Sequence, residues 1–457
     1  MNEPDSSLNK SIVQHAQQAI SAALDEDHPQ QAVKALLSLH PADRAEVFSD
    51  LRRSEREQLL ARLDIAATAD LLEELEDKLA SRAAETLSNE RLADVLDEME
   101  PDEAADVLGD LPPDRASEAL AEMEEAEDVL PLLSHDDETA GGLMTTSYIA
   151  LRPDRTTAEA IDYLREVGPE EETPYYLYVV DASRRLVGIV SLRTLVVSKP
   201  DTVIADIMDP DTYHATTRTD QEDAARLMVR YDLAALPVVD DEGILAGVIT
   251  YDDLVDVLED EATEDIYRLA NVSDADLTID SPVGLSIRRR LPWLYVNAFT
   301  AFFASWVIAH FEGLIAQVAV LAAFQSVVAG LGGNTATQSL AIIVRAIALG
   351  EINQGKNLHT VLKEGLTGLL QGIAVGLAAG IGVYLWQGNA YMGLILALAL
   401  IGNMLLAGLA GALVPLSLRA LKLDPALASS VLVTAITDSV GFALFLGLAS
   451  LFLPYLT

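Results

Sequence analysis

Apolar residues recur every 12 positions in the first third of the chain. The series is Leu39, Leu51, Leu63, Leu75, Leu87, Met99, Leu111 and Met123. Repetition of one short unit is typical of a stacked solenoid, here built from short helices separated by turns. Pro41, Pro101 and Pro113 share one phase of this repeat. Because proline suits the first helical position, we expect each of them to open a helix.

Short β-rich runs replace the helical repeat in the next segment. They form two similar pairs, at 177–180 with 186–190 and at 236–240 with 245–249. Each pair surrounds a turn and leads into a helical stretch, and a methionine (Met144 or Met208) opens each unit. We predict two copies of a roughly 60-residue β/α unit, packed as a pseudo-symmetric pair.

Long apolar stretches fill the last part of the chain. They cover 291–311, 313–344, 366–386, 391–418 and 425–456. A membrane-spanning helix needs about 20 predominantly apolar residues, so we predict five spans. Glycines recur in or beside the third stretch, and small residues of this kind allow close helix packing. These glycines are Gly365, Gly368, Gly372, Gly376, Gly380 and Gly382.

The basic residues of this part predict an orientation. They are Arg288, Arg289 and Arg290 before span 1, Arg345, Lys356 and Lys363 around the second loop, and Arg419 and Lys422 in the fourth loop. The other loops carry no Lys or Arg. Under the positive-inside rule, the N-terminus is cytoplasmic and the C-terminus is external in a multi-pass protein of the plasma (inner) membrane. The first ten residues also lack the basic and apolar regions of a signal peptide.

Charge divides the chain in two. Only five of the 71 acidic residues and eight of the 30 basic residues follow Asp280, which leaves 66 against 22 before it and a net charge of −44 there. Such a surface excludes nucleic acid as a partner, because phosphate contacts need a basic surface. It attracts cations instead. The chain has no cysteine, which excludes disulfides and thiolate metal sites.

One carboxylate lies deep in the fifth span. Asp438 shares a helix face with Thr434, one turn earlier. A carboxylate at that depth normally faces a partner or a water-filled path, although hydrogen bonding to a neighbouring helix is the structural alternative. Five spans are few for a closed pathway, so we expect a symmetric homodimer with the pore on or near its axis. We also expect Asn334 and a helix break at Gly332-Gly333 to present amide oxygens there, a packing kink being the alternative.

Two motifs carry a family resemblance. The phrase from Leu236 to Leu254 resembles a CBS module, so the β/α pair resembles a tandem of CBS modules. The stretch 332–339 in span 2 and the stretch 435–442 in span 5 resemble the MgtE family of magnesium channels. The resemblance implies a multidomain fold, with an α-superhelical N-domain, an α/β tandem CBS pair and an all-α polytopic membrane domain of five transmembrane helices.

We set the domain boundaries accordingly. Residues 1–30 are an N-terminal tail, 31–135 the acidic superhelical domain and 136–262 the CBS pair. Residues 263–287 form a connecting (plug) helix, and 288–457 form the transmembrane pore domain.

The resemblance also implies a function and its residues. It predicts Mg²⁺ import through a channel that cytosolic Mg²⁺ closes, with Asp438 as the pore carboxylate. Sensing carboxylates map onto three regions: Asp70, Asp102 and Asp106; Asp220, Glu222 and Asp232; and Asp253, Asp256, Glu261, Glu264 and Asp265. Clusters of carboxylates without His or Cys suit hard cations, and a solvated acidic face is the alternative.

Other interpretations stay open at this point. Thr250 and Asp253 resemble the place where a CBS module holds the ribose of ATP or another adenine nucleotide. We find no catalytic motif and expect no enzyme activity. A coupled transporter or exporter and a membrane-anchored energy sensor without a pore are the competing functions. Selectivity among Mg²⁺, Mn²⁺, Co²⁺ and Ca²⁺ is not determined.

Overall fold

The structure is a computed structural model that describes residues 6–167, 176–272, 277, 281–352, 357–426 and 429–456. The chain divides into two units, Met1–Leu258 and Glu259–Thr457.

The 12-residue repeat is a stack of short helices. Eight consecutive helices begin 12 residues apart, which confirms the predicted solenoid. They are α2 (Pro29–Leu37), α3 (Pro41–Ser49), α4 (Arg53–Leu60), α5 (Ile65–Glu73), α6 (Asp77–Ala84), α7 (Asn89–Glu98), α8 (Pro101–Asp110) and α9 (Pro113–Glu122). Pro41, Pro101 and Pro113 open their helices as expected. Helices two repeats apart pack together, as α5 does with α7 and α6 with α8.

The N-terminal segment is not a tail. Helix α1 spans Ser6–Asp25 and packs against α2 and α3. Ile20 is completely buried and Leu24 is nearly so. The prediction of a tail was wrong over Ser6–Asp25, because the apolar 12-residue series that indicated the solenoid begins only at Leu39.

The β/α repeat forms two three-stranded sheets. The first contains β1 (Ala150–Leu151), β2 (Tyr176–Val180) and β3 (Leu186–Ser191), and the second contains β4 (Ala215–Thr216), β5 (Leu236–Val239) and β6 (Leu245–Ile249). In each sheet the first strand is parallel to the second, which pairs antiparallel with the third. A short helix, α10 (Ala126–Val129), precedes the sheets. In each unit one helix connects the first strand to the second, α11 (Thr157–Val167) or α13 (Gln221–Tyr231), and one follows the third strand, α12 (Leu192–Val197) or α14 (Tyr251–Leu269).

The segments that open the two copies contact equivalent glycines. Thr145 bridges to Val248 in β6, and Asp209 bridges to Ile189 in β3. A side chain on Gly247 would meet Met144, and one on Gly188 would meet the backbone of Asp209. The lack of a side chain at these glycines therefore permits the two related contacts, as the predicted pseudo-symmetry requires.

The connecting segment differs from the expected helix over 263–287. Helix α14 starts at Tyr251 and ends at Leu269, and Asn271 adopts a left-handed backbone with φ of 60°. The next helix, α15, starts at Val283. Residues 273–276 and 278–280 lie outside the described residues.

Within the part of the chain that the structure describes, five helices are long and apolar enough to cross a membrane, as predicted. They are α15 (Val283–Ala309), α17 (Leu321–Ala348), α18 (Asn357–Gln387), α19 (Ala390–Ala420) and α20 (Ser429–Leu451), with the short α16 (Glu312–Gln317) after the first. Helix α19 packs against α17, α18 and α20, and α15 lies along α20. The core of this unit therefore surrounds α19.

Glycines set the distance between α18 and α19. A side chain on Gly376 would meet the carbonyl of Ala397 at 2.8 Å, and one on Gly372 would meet Cα of Ile401 at 2.9 Å. Gly382, in contrast, faces open space. The packing interpretation is thus confirmed for the buried members of the series.

The expected helix break at Gly332-Gly333 is absent. Helix α17 is continuous from Leu321 to Ala348 through both glycines. Gly332 instead accommodates the side-chain amide of Asn403 from α19. The prediction of a break was wrong because a glycine is needed here for contact with α19. The sequence of one span does not reveal such a neighbour.

Candidate functional site

The expected pore residues lie on two packed helices. Asp438 and Thr434 on α20 are partly exposed, and Asn334 on α17 is exposed. Thr337 and Gln338 continue the exposed polar strip of α17 beyond Asn334. Polar side chains on a membrane helix need water or protein partners, since lipid offers none. Carboxylate, amide and hydroxyl oxygens are ligands for a hard divalent cation.

The Thr434 backbone carbonyl is the other candidate ligand at that position. It accepts a hydrogen bond from the Thr437 hydroxyl at 3.1 Å and lies within the continuous helix α20.

Glu364 and Asn403 are buried polar residues of the membrane helices that were not predicted as site residues. Glu364 on α18 is 8% exposed and accepts a hydrogen bond from Ser339 Oγ of α17 at 2.8 Å. Asn403 on α19 is completely buried, and its Nδ2 donates to the carbonyl of Val328 at 2.9 Å. In the sequence, Asn403 is a polar residue within the fourth apolar stretch, and Glu364 lies two residues before the third.

The end of α14 contacts the start of α20 and the loop before it. Arg268 forms ion pairs with Glu264 on its own helix and with Asp424, the latter at 2.6 Å. Asn271 Nδ2 donates to Ser430 Oγ at 2.8 Å, and Ser430 Oγ lies 3.1 Å from Asn271 Oδ1. We call these contacts the α14–α20 latch. Ser430 lies one turn before Thr434 and two turns before Asp438.

The solenoid brings several carboxylates together. Asp102 is only 7% exposed, and Asp106 lies one turn further along α8. Burial, followed by the charges of Asp102 and Asp106, raises the pKa of Glu103 to about 9. Loss of surrounding water, followed by the charges of Asp77 and Asp102, raises the pKa of Asp106 to about 8. We call Asp77, Asp102, Glu103 and Asp106 the α6–α8 acidic cluster.

This cluster differs from the predicted set in two ways. Asp77 and Glu103 were not predicted, although Asp77 lies at the phase of Pro101, two repeats earlier. Asp70, which was predicted, is exposed and forms an ion pair with Arg44 at 3.6 Å.

The predicted acids of the second β/α unit lie at both ends of α13. Asp220 caps the start of the helix by accepting from Glu222 N at 3.0 Å. Glu222 forms an ion pair with Arg226. Asp232 ends the helix in a left-handed conformation, with φ of 54°. Since 11 residues of helix separate the ends, these acids do not form one site.

The remaining predicted acids lie along α14. Asp256 is exposed, whereas Asp253, Glu261, Glu264 and Asp265 are partly buried. Among the residues that the structure describes, no three acidic or histidine side chains are grouped so that they could hold a metal ion.

Thr250 and Asp253, the expected nucleotide contacts, bind each other. Asp253 Oδ2 accepts hydrogen bonds from the Thr250 backbone N–H and from its hydroxyl, both at 2.8 Å. This arrangement caps the start of α14. In the first unit α12 is capped in the opposite direction, because the Ser191 side chain before the helix accepts from Thr194 N at 3.1 Å.

The fold defines a multi-pass membrane protein with an acidic solenoid and a tandem CBS pair. Sequence profiles of three families match it: MgtE, described as a divalent cation transporter, over residues 325–448; the MgtE intracellular N domain over 39–138; and the CBS domain over 140–198 and 204–260. The chain belongs to the MgtE family of magnesium transporters.

Individual relatives support this assignment. The magnesium transporter MgtE of Thermus thermophilus is 40% identical over 71% of this chain and 72% of its own length. MgtE of Enterococcus faecalis is 37% identical over 73% of each. A solved structure described as the cytosolic domain of the Mg²⁺ channel MgtE in complex with ATP is 36% identical. It covers 53% of this chain and 99% of its own, with a TM-score of 0.50.

Proposed function

We propose that the chain is a channel that imports Mg²⁺. Its own cytosolic domains close this channel when Mg²⁺ binds to them. The observation that carries the proposal is the partly exposed Asp438 on α20, a helix that packs against α17 and its exposed polar strip. These groups are oxygen ligands on membrane helices, and Mg²⁺ is usually held by one or two carboxylates together with retained waters. The relatives named as magnesium transporters support this ion as the substrate. The proposed activity is transport, not catalysis.

A homodimer suits this arrangement. In one protomer the polar strip of α17 faces outward, where lipid would leave the amide groups of Asn334 and Gln338 unsatisfied. A second copy related by a twofold axis would place two such strips and two Asp438 carboxylates around one path. We further propose that the N-terminus is cytoplasmic and the C-terminus external, as the basic loops indicate.

The α14–α20 latch is the contact through which closure would act. It joins the end of the acidic helix α14 to the helix that carries Asp438. Glu264, one of the proposed sensor acids, shares Arg268 with Asp424, so a change at the sensor would reach the latch directly. The proposed sensor comprises the predicted acids of the solenoid, α13 and α14, together with Asp77 and Glu103.

A nucleotide is a second proposed ligand, at the CBS pair. The ATP complex of the related cytosolic domain supports it. Thr250 and Asp253 would have to exchange their mutual hydrogen bonds for contacts with the ribose.

The decisive experiment measures Mg²⁺ uptake into liposomes that contain the purified full chain. We expect Asp438→Asn to fold and dimerise but to lose at least nine-tenths of the uptake, because the deep carboxylate is gone. Glu351→Gln, which neutralises an exposed acid next to α17, is the matched control and should retain uptake. Selective uptake by Asp438→Asn would place the ion path elsewhere. Uptake that requires a second ion gradient would favour a coupled transporter, and nucleotide binding without uptake would favour a sensor.

A further inference from the structure

Asn403 connects the two motifs that distinguish the membrane helices. Its side chain lies against Gly332 of α17, and also against Gly441 of α20. Gly332 precedes Asn334 by two residues, and Gly441 follows Asp438 by three. The buried amide of Asn403 therefore contacts a glycine within one helical turn of a proposed pore residue on each of the two helices.

Asn403 lies so close to both glycines that neither position has room for a larger residue. A side chain on Gly441 would meet Asn403 Nδ2 at 2.7 Å and Cγ at 2.8 Å, and one on Gly332 would also meet the amide. Asn403 Nδ2 donates to the carbonyl of Val328, one turn before Gly332. This bond restricts both the sliding of α17 past α19 and the rotation of α17 about its own axis.

The other atom of the amide makes packing alone a poor explanation. Among the described residues, Asn403 Oδ1 has no hydrogen-bond partner, although it is buried. A buried acceptor without a donor lowers stability, and leucine has the same branched shape without that penalty. Stability alone therefore does not explain an asparagine at this position. A role of its hydrogen bond to α17 in the pore does.

We propose that Asn403 is a positioning residue for ion selectivity. It holds α17 and α20 at one separation and rotation, so that Asn334 and Asp438 present their oxygens at a spacing suited to a small hydrated cation. The inference rests on the proposed function, because it assigns a role to the same pore.

The first test compares ion fluxes in liposomes. We expect Asn403→Leu to keep the dimer and a thermal midpoint close to that of the wild type, but to lower the ratio of Mg²⁺ to Ca²⁺ uptake at least tenfold. Asn403→Ala, which also removes the tether but leaves space, should lower the ratio similarly and decides the matter if the leucine variant does not fold. Met404→Leu is the matched control, because Met404 is the next buried residue of α19 and contacts α18 at Gly368 and Gly372. An unchanged ratio in a folded Asn403 variant would overturn the proposal.

The second test does not depend on transport. The chain has no cysteine, so Thr337→Cys on α17 and Val440→Cys on α20 would carry the only spin labels. Both positions are exposed. In dimers diluted with unlabelled chain, we expect one narrow distance distribution, which Asn403→Leu broadens or shifts. If the wild type takes up no Mg²⁺, the proposed function fails. If the distribution is the same with and without Asn403, the positioning role fails.

Discussion

Carboxylates act in three different ways in this chain, and their immediate surroundings distinguish them. Asp253 accepts hydrogen bonds at the start of α14 and stabilises the helix. Asp424 compensates the charge of Arg268. Asp106 lies among other carboxylates, which oppose its ionisation. In the third arrangement neighbouring carboxylates oppose ionisation, so we expect a bound cation to stabilise it more than the other two.

The α6–α8 acidic cluster predicts an unusual pH dependence. The folded pKa values of Glu103 and Asp106, about 9 and about 8, lie above the unfolded values, which are close to 4. Between about pH 5 and pH 9 the folded state therefore holds more protons than the unfolded state, so stability falls as the pH rises. We expect the thermal midpoint of the full chain in Mg²⁺-free detergent solution to decrease over this range.

Neutral variants isolate that effect. Glu103→Gln combined with Asp106→Asn should flatten the decrease, whereas Asp114→Asn, at an exposed acid on the next helix, should not. Addition of millimolar Mg²⁺ at pH 9 should raise the midpoint of the wild type more than that of the double variant. A midpoint that rises with pH in the wild type would contradict the assigned repulsion.

At the scale of elements, α18 and α19 show how a polytopic unit packs without a hydrophobic driving force. Lipid tails are as apolar as the helices, so close contact and van der Waals packing stabilise the pair. The glycines of α18 meet backbone atoms of α19 along most of the shared length. Side chains at these positions would separate the helices.

Two glycines of α18 form a matched pair for this prediction. Gly376→Leu should destabilise the unit by about 1–3 kcal/mol, because the new side chain would meet the carbonyl of Ala397. Gly382→Leu, on the same helix but facing open space, should be close to neutral. Thermal unfolding in detergent measures both. Equal effects would show that helix propensity, and not packing, determines the outcome.

The α14–α20 latch makes a separate prediction. Asn271→Ala should remove hydrogen bonding worth about 1 kcal/mol, which is roughly fivefold in the ratio of open to closed states. Mg²⁺ uptake at millimolar internal Mg²⁺ should therefore increase, while uptake at low internal Mg²⁺ changes little.

A double-mutant cycle checks that the latch acts through one pair. Asn271→Ala and Ser430→Ala should each have the effect, and the double variant should add little to either, because both remove the same bonds. Ser417→Ala is the control, since its hydroxyl bonds within α19 to the carbonyl of Leu413. Additive effects of the two latch variants would contradict the pairing.

At the scale of the whole molecule, charge is the dominant quantity. The net charge of −44 up to Asp280 is doubled in a dimer, and like charges at that density repel unless cations gather. Exposed ion pairs contribute about 0–1 kcal/mol each. A shift from mostly open to mostly closed needs about 5.5 kcal/mol, so many weak sites must act together.

This requirement predicts how sensor variants behave. Neutralising Asp253, Asp256, Glu261 and Glu264 together should raise the internal Mg²⁺ concentration that halves uptake at least tenfold, while single changes shift it less. The control neutralises four exposed acids of the first β/α unit, Asp154, Asp162, Asp201 and Asp206, and removes the same charge. If both sets act equally, net charge alone controls closure. If neither acts, the sensor lies in the membrane helices.

Features encoded in consecutive residues were predictable from the sequence. The helix starts of the solenoid, the paired β/α units and the five long apolar helices all follow from local periodicity and run length, which the chain displays directly. The depth of Asp438 in α20 follows from the same information. Helix α1 lacked the period and was missed, and the end of α14 at Leu269 was not marked by proline or glycine.

Only the tertiary structure decided which distant residues meet. Asp77 joins Asp102 and Asp106 because helices two repeats apart stack. Gly332 is a contact for Asn403 and not a helix break, because α19 passes beside it. Arg268 reaches Asp424 across more than 150 residues. Residue type and spacing determine which helices form and which faces they bury, but the side chains that share a site depend on the packing of those helices, which no single segment specifies.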